Sequence, residues 1–228
     1  MTKNFNLKLI EDASEALGSF YKKKHAGSFG DVGIISFNGN KIITTGGGGA
    51  LITNSLKLAK KIKNLTTICR KKNTIEYDYS GLGYNYRMTD LQAALGISQM
   101  YRVDEFVSSR HKQAQRYNDR LKDLPIILPF QADTCYSSFH LYVIRLNLDL
   151  IEKSHKQVFE ELRSKNIGVN LHYIPVHLHP YYQAIGFKSG DFPEAEQYSK
   201  EAISIPIFHG LKKNQQDEVI QAITEVLA

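Results

Sequence analysis

The sequence predicts an α/β protein in two parts, a first part over residues 1–123 and a smaller second part over residues 124–228. Short apolar runs that read as strands stand between amphipathic segments in the first part. A long helical period of apolar residues then runs from Asp90 to about Leu121. After Pro125 the texture changes to strand, helix, strand and a closing helix.

Leu7 to Ile10 reads as the first strand, with Glu11-Asp12 at its carboxyl end. Ligands of open α/β sheets gather at that edge, so Asp12 is a candidate functional carboxylate; the alternative is a helix N-cap. A polar turn over residues 27–31 leads into Val32 to Phe37, which reads as a buried strand, and Ala50 to Thr53 reads as another. Between them stand Lys41, Thr44, Thr45 and four consecutive glycines, Gly46 to Gly49. Ordering a glycine costs up to about 1 kcal/mol more than ordering an alanine, so such a run marks backbone that approaches something closely or takes positive φ. Lys41 beside it is either a cofactor anchor or a solvated lysine on a glycine hairpin.

Ser55 to Leu65 reads as a short amphipathic helix and Cys69 to Ser80 as a polar, aromatic loop. Tyrosines and an arginine in the glycine loop over residues 81–88 suit a subunit interface as well as a site. Thr89 or Asp90 caps one long helix to about Leu121, with Leu91, Ala94, Leu95, Val103, Phe106, Val107, Ala114, Tyr117 and Leu121 on its apolar face. Ser138 to Leu146 alternates as a strand, Ser154 to Lys165 reads as a helix, Ile167 to Tyr173 as a strand and Lys213 to Val226 as a helix. His172, His177 and His179 lie in a proline-broken loop without a nearby carboxylate, a poor metal site, and no metal is expected.

At 228 residues, 42% hydrophobic and 23% charged, the chain has ordinary globular composition. No apolar run approaches the roughly 20 residues that span a bilayer, and Met1-Thr2-Lys3-Asn4 lacks the apolar core of a signal peptide. Cys69 and Cys135 are far apart and without metal-ligand spacing, which suits free thiols in a reducing cytoplasm. A soluble, cytoplasmic protein is expected. The net charge of +6 is spread over small clusters, Lys22 to Lys24, Lys60-Lys61, Arg70 to Lys72 and Lys212-Lys213, with acidic segments between. No nucleic-acid motif accompanies them, so they read as solvated surface, with some groups available to an anionic, diphosphate-bearing substrate.

Five segments carry a resemblance. They are Glu11-Asp12-Ala13-Ser14-Glu15-Ala16-Leu17-Gly18, Ser36-Phe37-x-x-x-Lys41 with the threonines and glycines after it, Gly83-Tyr84-Asn85-Tyr86-Arg87-Met88, His172-Tyr173-Ile174-Pro175-Val176-His177, and Phe192 to Ile207. Together, from about Leu7 to the end, they resemble the DegT/DnrJ/EryC1/StrS family of pyridoxal-phosphate-dependent sugar aminotransferases. The resemblance implies an aspartate-aminotransferase-like (fold type I) α/β architecture, with an incomplete large domain and a small C-terminal α/β domain. Lys41 falls on the family's Schiff-base lysine, Ser36 on its phosphate-binding serine, and Asp12 on the aspartate that pairs with the pyridine nitrogen. A carboxylate there favours the protonated pyridinium, which withdraws electrons from the substrate.

Glu15 stands where many members have a glutamine contacting the cofactor's phenolic oxygen, a place where a carboxylate must be protonated or turned away. Asn85 falls on a residue that touches the partner subunit's cofactor phosphate across the dimer, Arg87 on one near the substrate, and His172 on the border of the sugar pocket. Arg110 matches a common arginine of the family's helix and is expected in a salt bridge. Gly47 replaces a glutamate; the all-glycine form resembles the branch acting on nucleotide-linked 4-keto-6-deoxy amino sugars, with L-glutamate as amino donor. A dehydratase of the same family has histidine in place of the lysine, which Lys41 opposes, and a non-catalytic interaction protein keeping the dimer surface is a further alternative.

The resemblance covers only the later part of the family's chain. The phosphate-holding helix N-terminus, the ring-stacking aromatic and several strands belong to the earlier part, and no dinucleotide fingerprint or P-loop replaces them. The expectation is a truncated form that starts within a domain and is inactive alone, working as a homodimer or with an upstream fragment.

Overall fold

The computed structural model describes residues 2–71 and 75–228. The chain separates into two compact units, Met1–Val107 with Ala132–Ser138, and Ser108–Gln131 with Phe139–Ala228. The division lies within a helix instead of after Asp123.

In the first unit, β1 (Ile10–Asp12) runs parallel to β4 (Val32–Ser36), with Ile10 opposite Val32. On its other edge β4 pairs antiparallel with β5 (Gly49–Ile52), Ile35 opposite Ala50. The first strand starts at Ile10, not Leu7, because Asp31 occupies the backbone groups of Leu9. The Leu9 N–H donates to Asp31 Oδ2 at 3.0 Å, and the Leu9 carbonyl accepts from the Asp31 N–H at 2.8 Å. Glu11 ties the turn before β4 to β1, accepting from the N–H groups of Gly27 (2.9 Å), Phe29 and Gly30.

A second small sheet joins β2 (Phe20–Tyr21), β3 (Lys24–His25) and β7 (Cys135–Tyr136). The basic cluster at Lys22–Lys24 is thus part of a hairpin, with Lys22 and Lys23 as its two-residue turn at φ 47° and 64°. Neither residue is the glycine or asparagine that usually announces such a turn. Cys69 is buried and Cys135 exposed, both as free thiols.

Helix α1 (Leu56–Thr66) is capped by Ser55, whose Oγ accepts from the Leu58 N–H at 3.3 Å. Of the loop over residues 69–80, and of the basic cluster ending at Lys72, residues 72–74 lie outside the described residues. The single long helix expected from Thr89 to Leu121 is two helices, α2 (Asp90–Met100) and α3 (Val103–Leu121). The helical ladder tightens at Arg102, whose N–H bonds Gln99 O at 2.9 Å. A new ladder opens with Phe106 N–H to Arg102 O, while the Arg102 guanidinium grips Glu105 through two bonds of 2.9 and 3.0 Å. Phe106 and Val107 pack with Ile42 and Ile43 into the core of this unit, whereas Leu91 on α2 is 86% exposed.

In the second unit, β6 (Ile126–Ile127), β8 (Tyr142–Leu146) and β9 (Ala202–Ile205) form an antiparallel sheet in that order. Tyr142, Ile144 and Leu146 alternate into the core. There they meet Val158 and Leu162, one turn apart on α4 (His155–Ser164), and Val219, Ile223 and Val226 on α7 (Lys213–Leu227). Ala114, Tyr117 and Leu121 of α3 close the cluster, and the Tyr117 hydroxyl donates to Pro206 O at 2.8 Å. Two further helices, α5 (Pro180–Ala184) and α6 (Pro193–Glu201), each open on a proline.

Three expectations for this region change. The strand expected from Ser138 begins only at Tyr142, since Phe139 takes φ 47° and breaks the extended backbone. The carbonyls of Phe139 and His140 accept instead from Arg110 Nη1 at 3.0 and 3.2 Å, as does Ile207 O at 2.9 Å, so Arg110 holds backbone carbonyls and not the expected salt bridge. The strand expected over residues 167–173 shrinks to one bridge between Asn170 and Ser204. Beyond it the Asn170 side chain takes the Leu171 N–H at 3.0 Å, which diverts the backbone from the ladder.

Candidate active site

Lys41 follows the end of β4, where its N–H closes a turn onto Asn38 O at 3.1 Å. Ile42 and Ile43, both buried, fix the backbone behind it, so the lysine side chain has a rigid base. That side chain is only 13% exposed, and its Nζ lies 2.9 Å from Glu15 Oε1. Glu15 sits in the turns that follow β1, where no helix forms, so the helix-cap alternative for Asp12 does not hold. Asp12, the last residue of β1, accepts instead from the N–H of Ser14 at 3.1 Å and from the Ser14 hydroxyl. These two bonds hold its carboxyl below the usual range; burial opposes them, and the positive charge of Lys41 adds the smallest contribution in their direction. Asp12 is therefore an ionised, outward-facing carboxylate.

Ser36 ends β4, and its Oγ accepts from the Asn38 N–H at 3.3 Å. With Ser14 it borders a cleft of about 780 Å³ whose wall includes Gly48, Gly49, Arg87 and Gln92. Two of the glycines are required there. Gly48 has φ +111°, and a Cβ on it would lie 2.9 Å from Met88 Cε; a Cβ on Gly49 would lie 2.4 Å from Ile35 O. Gly47 has neither constraint. Asn85 accepts from Arg87 Nε at 2.8 Å, and Tyr84 stacks on Tyr86 with ring centres 5.1 Å apart.

Lys41, Glu15 and Asp12 thus gather at one place in the first unit, and Ser36 and Arg87 line one cleft of that unit. His172 belongs to the second unit, where its Nδ1 is 2.7 Å from Ser204 Oγ. Ser14 and Gln92 are site residues that the motif reading passed over. The Asp-x-Ser spacing of an Asx turn was the available signal for Ser14; Gln92, which the structure shows in the capping box of α2 with Thr89, carried no motif that pointed to the cleft. Among the described residues there is no group of three His, Cys, Asp or Glu that could hold a metal ion, and no helix is long and apolar enough to cross a membrane.

A primary amine on a rigid turn, an ionised carboxylate beside it and a glycine-walled cleft fit the donor set that pyridoxal phosphate needs. The model of the DegT/DnrJ/EryC1/StrS aminotransferase family matches residues 1–224. The chain belongs to that family. Its aminotransferases use pyridoxal phosphate, and its architecture is the fold type I arrangement. Among curated proteins of the family, the chain is 36% identical to GDP-perosamine synthase of Caulobacter vibrioides over 229 residues, covering 100% of this chain and 61% of that protein. It is 34% identical to the spore coat polysaccharide biosynthesis protein SpsC of Bacillus subtilis, covering 100% and 61%. Among solved structures it superposes with a TM-score of 0.93 and 28% identity on PseC of Helicobacter pylori, an aminotransferase of pseudoaminic acid biosynthesis, covering 99% of this chain and 61% of that one. The chain therefore spans about three fifths of the length of these family members.

Proposed function

We propose that this chain carries the lysine-bearing part of a pyridoxal-phosphate-dependent aminotransferase acting on a nucleotide-linked 4-keto-6-deoxy or amino sugar, with glutamate as amino donor. The observation that carries the reading is Lys41 Nζ, enclosed on a rigid turn and held 2.9 Å from Glu15 at the end of the sheet where Asp12 also stands. The cofactor, when bound, supplies the electron sink for moving an amino group. Lys41 would hold it and, once its amine is free, would remove and return a proton at the reacting carbon. Asp12 balances the pyridinium charge; Ser36, and Asn85 toward a partner subunit, hold the phosphate. Arg87 and His172 are assigned to the sugar substrate by the family resemblance alone. The perosamine synthase relative is named for making a GDP-linked sugar, which supports a nucleotide-linked sugar as the substrate class here.

A homodimer, or completion by a separate fragment corresponding to the rest of the relatives' length, is part of the same proposal. The exposed apolar side chains of Leu91 and Ile97 on α2, and of Tyr101 just past its end, support a partner surface there. The test separates cofactor capture from turnover. The chain is incubated with pyridoxal phosphate, reduced with borohydride and mapped by peptide mass spectrometry. Reduction products at Lys41 are expected; labelling spread over the surface lysines would overturn the assignment. Release of 2-oxoglutarate from glutamate is then followed with and without the complementary fragment.

A further inference from the structure

We propose that Glu15 is the proton partner of Lys41, pairing with its ammonium in the resting protein and taking the proton when the amine attacks an aldehyde. This rests on the reading of Lys41 as the cofactor lysine, yet its evidence is independent of it. The two residues are 26 positions apart, on the turns that follow β1 and β4, and meet at 2.9 Å. The lysine end is enclosed, 13% exposed, whereas the glutamate is 51% exposed and in contact with bulk water. An ammonium has no lone pair and cannot attack a carbonyl carbon. The amine must lose a proton first, and Glu15 Oε1 is the acceptor already in hydrogen-bond contact with it. Asp12 is engaged elsewhere, since one of its oxygens takes both bonds from Ser14, and among the described residues Glu15 is the carboxylate bonded to Lys41 Nζ.

The step balances without another reagent. One proton passes from Lys41 Nζ to Glu15 Oε1, and the freed nitrogen lone pair forms the new C–N bond. The carbonyl oxygen leaves as water with the two hydrogens remaining on the nitrogen, and the first proton rests on the glutamic acid. A protonated Glu15 can then donate a hydrogen bond to a phenolic oxygen, which reconciles a carboxyl group with a position where an amide is common.

The experiment needs no cofactor. The chain and its Glu15→Gln and Glu15→Asp variants are exposed at pH 7.5 to trace formaldehyde and cyanoborohydride, and methylation of Lys41 is timed by mass spectrometry. Lys57, exposed on α1, is the internal reference. An amide keeps the contact but cannot accept the proton, so Lys41 in Glu15→Gln should be methylated roughly three- to tenfold more slowly, and a faster rate would overturn the proposal by showing that Glu15 only holds the ammonium. Glu15→Asp should stay close to the wild type. Equal rates in all three proteins, or Glu15→Asp as slow as Glu15→Gln, would overturn the proposal even if pyridoxal phosphate still labels Lys41. Unchanged circular dichroism and an unchanged Lys57 rate exclude unfolding as the cause; if Glu15→Gln fails that control, Glu15→Ala gives the same reading. A slower Lys41 rate without pyridoxal phosphate labelling would leave the proton partnership standing and refute the cofactor role instead.

Discussion

His177 Nε2 lies 2.8 Å from Glu196 Oε1 in the second unit, and both side chains are buried. Glu196 also accepts from the Gly190 N–H at 2.7 Å and the Ser189 hydroxyl at 3.0 Å. The carboxylate therefore ties the segment around residue 190 and the turn around His177 to the first turns of α6. The hydrogen bond with His177 comes first among the causes that push its pKa from 4.5 to about 2, followed by Gly190, with burial opposing.

A depressed carboxylate pKa stabilises the fold at pH above the unfolded value. That contribution is lost as pH falls from about 4.5 through about 2. Glu196→Gln should reduce the dependence in this window, leaving the part owed to Asp12, Asp31 and Glu225, which are also held below their usual values, and should loosen the segment around Gly190 at neutral pH. Acid unfolding of the two proteins, followed by circular dichroism, compares the slopes. Equal slopes between pH 4.5 and 2 would reject the assignment.

Arg110 offers a second test of the same unit. Its guanidinium is buried and bonded to three carbonyls, of Phe139, His140 and Ile207, and burial pushes its pKa down to about 10. It replaces the ladder bonds that the chain lacks between Ser138 and β8. Removing it leaves those carbonyls without their donor, so Arg110→Ala should cost on the order of 3 kcal/mol in urea unfolding. Arg110→Lys should recover part of this, because all three carbonyls converge on the single nitrogen Nη1, which an ammonium on a stem of different length and shape replaces only imperfectly. A loss below about 1 kcal/mol, the size of one ordinary hydrogen bond, would contradict the role.

The site was legible wherever it is local in sequence. Asp12 lies at a strand end as its run predicts, and the glycines after Lys41 include two that the backbone needs. The Lys41–Glu15 contact was not legible, because it depends on how two turns 26 residues apart are aimed. Apolar periodicity found one face from Leu91 to Leu121, but periodicity reports a surface and not what covers it. Phe106 and Tyr117 are buried within this chain while Leu91 is exposed. The break at Arg102 carries no proline or glycine and was invisible for that reason. The strand expected over 167–173 failed because one asparagine side chain competes with the ladder, a local choice that alternation of apolar residues does not encode.

The glycine run separates into positions of different tolerance. Gly47 has open space where a Cβ would stand and no left-handed φ, so Gly47→Ala should raise stability by about 0.4–1 kcal/mol through the unfolded state. Gly48, with φ +111° and Met88 Cε 2.9 Å from a Cβ, should lose stability on the same change. Thermal melts of the two variants should move in opposite directions. Movement in the same direction would mean that the loop adapts and that the four glycines are interchangeable.

Asp12→Asn tests charge apart from shape. The amide oxygen can still accept from the Ser14 N–H, which makes a 3.1 Å bond in the native turn, so the backbone after β1 should be retained. What is lost is the negative charge that Ser14 and Lys41 keep ionised in the folded protein. A pyridinium nitrogen beside a neutral amide has no counter-charge, so the cofactor's ring nitrogen should be less protonated and a weaker electron sink. Turnover in the active assembly should fall on the order of 10²-fold, as for other losses of charge complementarity at a reacting centre. The melting temperature should stay close to the wild type, since Asp12 is exposed. Borohydride trapping of pyridoxal phosphate at Lys41 should persist at high cofactor concentration, because the amine itself is untouched. A variant that keeps its turnover would reduce Asp12 to a turn former, and one that unfolds would make the Ser14 bonds, not the charge, its main contribution.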